Sequence, residues 1–131
     1  MNKKRISQKQ IEAIIKLSAI DRYYHSIKQF AGWNELYSIY DNGWVLLDDS
    51  SGNKFFPIWP SEEYTRIYIE QNKKNYSPRL IDLSYFLEIM LNDLEEENIS
   101  LGVFIDPDNS GIVVSIKNFK NDLLNELSKY P

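Results

Sequence analysis

The run Asp106-Pro107-Asp108-Asn109-Ser110-Gly111 has the spacing of the first half of a calcium-binding loop. Oxygen atoms at its first, third and fifth positions can coordinate Ca²⁺, and glycine at the sixth position permits the sharp turn. The twelfth position of such a loop should be a bidentate glutamate, but Lys117 occupies it, and Ile112–Ile116 has the pattern of a strand. We therefore interpret the run as a tight turn with two acids, and we predict no metal site and no cofactor.

His25 is the only histidine in the chain, and it is the one candidate for a histidine general base. A catalytic histidine needs an orienting carboxylate and a nucleophile within reach, and no pattern in the sequence places either beside it. Asp48–Asp49 and Glu95–Glu97 could in principle supply paired carboxylates for acid–base chemistry, but such runs of adjacent acids are typically solvated. The sequence therefore predicts no catalytic residues and a protein that is not an enzyme.

Composition limits the classes of protein that fit. The 131 residues, 43% of them hydrophobic, match one domain over 1–131, and the absence of cysteine excludes disulfides and thiol chemistry. A net charge of −4 with scattered basic residues disfavours direct nucleic-acid binding, which needs a basic face. We expect no secretory signal, because the basic start lacks an apolar segment, and no membrane span, because no apolar run reaches the ~20 residues that one needs. We expect a cytoplasmic protein without membrane contact, either a monomer or a homodimer.

Helical periodicity marks several segments. Ser7 has capping-box spacing to the glutamine three residues later, which predicts the start of a helix. The apolar stripes that start at Ile11 and at Ile20 point to opposite sides of a helical wheel. We therefore predict a break near Ser18–Asp21, with Asp21 starting the second helix and Gly32 ending it. Further helices are predicted after Ser61, along the apolar stripe from Leu83 to Leu94, and from Ile116 onward.

Asn42-Gly43 lies between two apolar runs and is the strongest strand signal, because both residues accept the positive φ of a two-residue hairpin turn. This register pairs Tyr40 with Val45. A looser turn leads to a strand over Lys54–Ile58, which Pro57 should place at a sheet edge, and a second hairpin is predicted over 99–115. Core packing is expected for at least two of the three tryptophans. The predicted fold is α+β, a small antiparallel β-meander sheet packed with about five α-helices.

A framework of aromatic, glycine and proline residues runs through this region. It comprises Arg22-Tyr23-Tyr24, Ile27, Trp33, Leu36-Tyr37, Tyr40, Asp41, Asn42, Gly43, Trp44, Gly52, Pro57, Ile58, Trp59, Pro60 and Tyr64, and it continues through 81–94 and 103–114. This framework resembles the bacterial domain of unknown function 2750. The resemblance implies a compact α+β bacterial protein in which Asp41, Gly43, Trp44, Gly52, Pro57, Trp59 and Pro60 are structural. It transfers no catalytic residues, because the family has no established activity.

The acidic surface points to a protein partner. A negatively charged domain without catalytic groups favours a basic partner, whose approach its charge would steer. We predict a non-enzymatic protein-binding module, and an immunity protein that neutralises a basic toxin is the sharpest form of this hypothesis, by analogy with other small acidic proteins. The alternatives are a housekeeping regulatory domain that binds a small ligand in a cleft beside the meander, or an unrecognised enzyme. The residues predicted to bind the partner are Tyr40, Asp48, Asp49, Glu95, Glu96 and Glu97.

Overall fold

Helices and strands are mixed along the chain in the computed structural model, which describes residues 6–130. The helices are α1 (Gln8–Ile15), α2 (Ala19–Trp33), α3 (Glu62–Gln71), α4 (Leu83–Tyr85), α5 (Leu91–Glu96) and α6 (Ile116–Leu127), and the strands are β1 (Glu35–Tyr40), β2 (Leu47–Asp48), β3 (Lys54–Ile58), β4 (Ser77–Asp82), β5 (Ser100–Val103) and β6 (Ile112–Val114). A π-helical turn, Phe86–Met90, joins α4 to α5 without a break in helical backbone angles. The predicted α+β fold is confirmed.

The helix starts follow local capping chemistry. Ser7 caps α1 as predicted, and the chain breaks before Ser18, whose hydroxyl accepts the backbone N–H of Asp21. The predicted break is therefore confirmed, but Ser18 rather than Asp21 caps α2. The helix also continues past Gly32 and ends at Asn34, which adopts the left-handed conformation with φ of 58°. Asparagine tolerates that conformation better than most other residues with a side chain, so it can replace glycine at a helix end.

The strands form two sheets rather than one meander. β1 and β4 make an antiparallel pair, and the second sheet has the order β2-β3-β5-β6, in which β3 and β5 are parallel and the other neighbours antiparallel. Two backbone hydrogen bonds of 2.9 and 2.8 Å between Tyr37 and Trp59 join β1 to the residue after β3. The predicted pairing is therefore wrong. The chain on either side of Asn42-Gly43 enters different sheets, because β1 pairs with the distant β4 whereas β2 pairs with β3, the next strand.

The turn itself forms at the predicted residues but with another register. Asn42 has φ of 58° and Gly43 has φ of 148°, so both adopt positive values. Tyr40 bridges to Trp44 instead of Val45, and the Val45 N–H donates to the Ile39 carbonyl over 3.2 Å. The loop is therefore one residue longer than the two-residue turn that the sequence predicts.

Pro57 lies in an interior strand, so the predicted edge position is wrong. The Ile58 carbonyl accepts the Phe104 N–H on the β5 side, and alternation along a strand turns the backbone of Pro57 to the opposite side. There β2 pairs only with Lys54 and Phe55, so no ladder hydrogen bond needs an N–H at Pro57. Its carbonyl instead accepts the Ser38 hydroxyl, which satisfies the remaining backbone group.

Aromatic rings fill the core between the four-stranded sheet and the helices. Phe56 contacts Phe86, Phe86 contacts Phe119, and Phe119 contacts Phe30 of α2, with ring centroids 6.1–6.2 Å apart. All four rings are buried in one core cluster, to which each of the six helices contributes at least one residue. None of the helices within residues 6–130 combines the length and apolar character needed to cross a lipid bilayer.

Candidate functional site

The acids predicted to bind a partner lie in two turns at one end of the four-stranded sheet. Asp48 and Asp49 lead into the turn between β2 and β3, and Glu95–Glu97 end α5 just before β5. Because β3 and β5 are parallel and Phe55 pairs with Ser100, both turns lie where these two strands begin. Adjacent strands are about 4.8 Å apart, so β2 and β5 are separated by about 10 Å. We call Asp48, Asp49, Glu95, Glu96 and Glu97 the acidic end.

Asp48 and Asp49 also have local structural roles. Asp48 forms a half-exposed ion pair with Lys54, its partner across the ladder, at 2.7 Å. The Asp49 carboxylate accepts the backbone N–H groups of Ser51 and Asn53 at 2.8 and 2.9 Å. These hydrogen bonds, that of Asn53 most strongly, hold the pKa of Asp49 below its usual value. The turn also contains Gly52, with a left-handed φ of 83°.

Glu95, Glu96 and Glu97 have no such role. All three are exposed, and none forms an ion pair with a residue in the described part of the chain. They lie in the last turn and the C-cap of α5, at the negative end of the helix dipole, where cations rather than anions are stabilising. Lys117 lines the same shallow depression as Glu95 without pairing with it. These three charges therefore do not stabilise the helix that presents them.

Tyr40 lies at the same end of the molecule, because β1 runs antiparallel to the chain at Trp59. The Arg79 guanidinium covers its ring at 3.9 Å from the centroid, and Trp44 contacts it edge-on at 5.2 Å. Trp44 in turn packs on Phe56 and remains 37% exposed, whereas Tyr40 is half-buried. Trp44 therefore presents more free aromatic surface here than Tyr40 does.

The remaining framework residues lie inside the fold or in its turns. Asp41 and Gly43 close the first turn through a backbone hydrogen bond of 2.9 Å. Pro57, Trp59 and Pro60 are buried in and after β3. The Trp59 indole N–H donates to the Ile105 carbonyl at 3.0 Å, and its ring packs on Tyr68 at 5.1 Å. Of the tryptophans, Trp59 is completely buried and Trp33 is half-buried.

A cleft of about 630 Å³ opens on the face of the four-stranded sheet that points away from the core. The register places Leu47, Phe55 and Val113 on this face, and Ile105 adds to its apolar floor. The rim is polar and includes residues from the end of α3, the β5–β6 loop and the acidic end, namely Asn72, Lys74, Asn109, Asp48, Asp49 and Ser50. The cleft and the acidic end are therefore contiguous.

The calcium-like run closes as a tight turn. The Asp106 carboxylate accepts the backbone N–H groups of Asp108 and Ser110 at 3.0 and 2.9 Å, and it faces the buried Arg22 guanidinium at 3.7 Å. Arg22 also donates to three backbone carbonyls, those of Leu17, Phe104 and Ser110. Asp106 thus joins the β5–β6 loop to α2. Within residues 6–130, no group of three or more histidine or acidic side chains is placed to hold a metal ion.

His25 lines a second, smaller pocket of about 140 Å³ that the sequence did not predict. Its polar lining consists of Gln10, His25, Gln29, Trp33, Ser61 and Tyr64. None of the described residues that line it is acidic, so no carboxylate is placed to orient His25 as a base. Sequence reasoning treated Ser61 only as a helix cap and Tyr64 only as an inner-face residue. Periodicity gives no signal that α2 and the start of α3 meet here.

Together these features define a small α+β domain with an acidic end, an open cleft beside it and a separate polar pocket. The model of the family described as Protein of unknown function (DUF2750) matches residues 23–123, and the chain belongs to this family. No curated protein and no solved structure matches the chain. The resemblance inferred from the aromatic, glycine and proline framework is therefore confirmed.

Proposed function

We propose that this protein is a non-enzymatic, cytoplasmic bacterial protein-binding module, and that its acidic end contacts a basic surface of the partner. The observation that supports this proposal most directly is the position of Glu95, Glu96 and Glu97. Charges that oppose the helix dipole and pair with no described residue do not stabilise the free protein. A basic partner would supply the missing opposite charges, and the resulting electrostatic stabilisation would appear only in the complex.

The surroundings of the acidic end suit such a contact. Trp44 offers a large, partly exposed aromatic side chain on a nearby turn, and aromatic residues often contribute strongly to binding energy. Arg79, fixed against Tyr40, marks one border of the surface with a positive charge. Negative charge would steer a basic partner, so the association rate should fall as the salt concentration rises.

A charge-matched pair of variants tests the proposal. The first replaces Glu95, Glu96 and Glu97 with glutamine, and the control replaces with glutamine the exposed Glu12 of α1, Glu70 of α3 and Glu88 of the π-helical turn, about two turns before Glu95. Affinity capture from the host at low salt should retain the same basic protein on the wild type and the control but not on the first variant. The first variant should also unfold at a slightly higher urea concentration, because removal of the three charges relieves their repulsion from the helix end.

Equal capture by both variants would refute the acidic end as the contact. An association rate that is insensitive to ionic strength would refute the steering mechanism. The immunity hypothesis makes a narrower prediction. A gene for a toxin should lie beside the gene for this protein, and co-expression should protect cells from that toxin only when the three glutamates are present.

The cleft on the outer sheet face supports a second candidate, a regulatory domain that binds a small ligand. Its volume of about 630 Å³ lies within the ~300–1,000 Å³ of typical ligand pockets, and an apolar floor with a polar rim is their usual chemistry. Val113 is 47% exposed on this face, so Val113→Tyr should fill part of the cleft. A metabolite pool that raises the melting temperature of the wild type but not of Val113→Tyr would favour this candidate over protein binding.

A further inference from the structure

One edge of β4 is unpaired along the whole strand. β4 has six residues and pairs with β1 on one side, and no strand within residues 6–130 pairs with its other side. The outer strands of the four-stranded sheet are shorter, because β2 has two residues and β6 has three. An open edge as long as that of β4 presents backbone donors and acceptors to which another extended chain can add.

The register shows which residues of β4 face the open edge. Tyr37 of β1 exchanges both of its backbone hydrogen bonds with Trp59, on the side away from β4. Bonding alternates along an antiparallel pair, so Leu80, the partner of Tyr37 across the ladder, likewise turns its N–H and C=O away from β1. Pro78 and Asp82, two residues to either side, face outward by the same alternation. The open edge therefore consists of Pro78, Leu80 and Asp82.

These three residues match a second copy of themselves. When two β4 strands run antiparallel with Leu80 opposite its counterpart, the two Leu80 residues exchange N–H···O=C hydrogen bonds, and each Asp82 N–H meets the Pro78 carbonyl of the other copy. Pro78 has no N–H to donate to the Asp82 carbonyl. Asp82 is the N-cap of α4, however, and the carbonyl of an N-cap residue already accepts a hydrogen bond within its helix. Proline therefore falls where the pairing needs no donor.

The charged side chains of β4 do not guard the open edge. Natural edge strands often use such side chains to prevent association. The Arg79 guanidinium instead lies 3.9 Å from the centroid of the Tyr40 ring on β1, and the Asp82 carboxylate accepts the Tyr85 N–H at 3.1 Å. Both charges are thus held by their own chain. The side chain at the middle of the edge is Leu80, which is 53% exposed.

Exposed apolar side chains continue beyond the strand. Tyr85 and Ile89 are also about half exposed, and they are four residues apart, so they lie on one face of the helical segment that follows β4. The single positive and single negative charge of β4 cancel, which suits a second copy of this chain better than the basic partner of the acidic end. We propose that two copies of this protein form a symmetric dimer by antiparallel pairing of their β4 strands, with the twofold axis at Leu80.

Sedimentation velocity of the full chain tests the dimer at protein concentrations from about 1 μM to 1 mM, a range that covers moderate affinities. The mass of the wild type should rise from the 15.5 kDa of one chain towards twice that value as the concentration increases. Leu80→Pro removes the central outward N–H but no hydrogen bond to β1. It should therefore unfold in urea as the wild type does at low concentration and remain a monomer.

Val113→Pro is the matched control on the other open edge. The Phe104 N–H donates to β3, so Gly102, two residues earlier, also faces β3, and its partner Val113 on β6 turns its N–H outward. This variant places a proline in the same type of position as Leu80→Pro does, but away from β4. It should dimerise like the wild type.

A charge swap locates the twofold axis. If Leu80 lies opposite its counterpart, Leu80→Lys or Leu80→Glu places two like charges directly across the axis, so each variant alone should stay monomeric. An equal mixture of the two variants should form the heterodimer, because opposite charges then face each other. Both substitutions keep the backbone N–H, so this result does not depend on how the strand tolerates proline.

A wild type that stays monomeric at about 1 mM would overturn the proposal. A dimer that persists in both Leu80→Pro and Leu80→Lys, or one that folded Val113→Pro no longer forms, would show that the contact lies elsewhere than β4. Failure of the two charged variants to associate with each other would overturn the axis at Leu80. Replacement of Glu95, Glu96 and Glu97 by glutamine should leave dimerisation unchanged, so the dimer and the binding of a basic partner are tested independently.

Discussion

Gly102 is the position where one added carbon should reveal how tightly β3 and β5 fit together. A Cβ at Gly102 would lie 2.3 Å from Cδ1 and 2.4 Å from Cε1 of the Phe55 ring, and 3.3 Å from Cδ1 of Ile105. Phe55 is 7% exposed, so its neighbours restrain most of the ring, and its outer side faces the cleft. Gly102→Ala must therefore displace the ring or separate the strands.

The expected cost follows from two opposing terms. Overpacking a well-filled site costs about 1–3 kcal/mol, and replacing glycine inside a strand recovers about 0.5–1 kcal/mol of backbone entropy. With each contribution taken at the middle of its range, the net loss should be about 1.2 kcal/mol, which for a chain of this length corresponds to a fall in melting temperature of about 3–6 °C.

Urea unfolding of four proteins isolates this contact: the wild type, Gly102→Ala, Phe55→Val and the double variant. Valine lacks the two ring atoms, so in the Phe55→Val background the cost of Gly102→Ala should disappear and only the gain in backbone entropy, about 0.5–1 kcal/mol, should remain. Gly32→Ala is the matched control, because its Cβ would approach nothing closer than 3.5 Å on an exposed helical turn. That control should gain about 0.5–1 kcal/mol.

Two results would refute this reasoning. If Gly102→Ala is as stable as the wild type, the Phe55 ring is not held over Gly102. Alternatively, its cost could persist undiminished with valine at position 55, in which case the strain arises from the backbone and not from the Phe55 ring.

Three further predictions concern buried polar groups. Arg22→Met should lower the free energy of unfolding by about 3–5 kcal/mol because it leaves Asp106 without its buried cation, and unchanged urea unfolding would contradict this. Burial lowers the pKa of His25 in the folded protein, so its contribution to stability is present above pH 6.5 and is lost as the pH falls through the pKa of the folded state. The urea midpoint should therefore fall between pH 7.5 and pH 5, and it should fall less for His25→Asn than for the wild type. Burial and the 2.6 Å hydrogen bond to Asp122 raise the pKa of Tyr23 above 10.0, so stability should decline as the pH rises past 10, and less steeply in Tyr23→Phe.

Local sequence signals predicted the helices well because their causes are local. Ser7 and Ser18 cap helices through hydrogen bonds to residues only three positions ahead. The apolar stripe from Leu83 to Leu94 is buried as its spacing indicates, except that Leu87 is half-buried. The spacing of the apolar residues did not predict the π-helical turn inside that stripe, in which the Leu91 N–H donates to the Phe86 carbonyl.

Strand pairing was predicted less well because partners far apart in the chain decide it. Asn42-Gly43 forms its turn, but β1 pairs with β4, some forty residues later, rather than with the residues after the turn. Pro57 indicated an edge, yet β3 is an interior strand, and it tolerates the proline because β2 ends before reaching that residue. A sequence shows which residues can turn or extend, but competition among several extended segments selects the partners.

The sequence by itself determined the α+β class, the family, the main helix starts and the acidic character of the surface, because composition, capping and periodicity act within a few residues. Only the tertiary structure decided where the charges and hydroxyls meet. The parallel pairing of β3 with β5 brings Asp48 and Asp49 to the same end as Glu95–Glu97, and the positions of α2 and the start of α3 around one pocket bring His25 near Ser61 and Tyr64. The physical reason is that both arrangements depend on contacts between segments more than thirty residues apart, which no local pattern encodes.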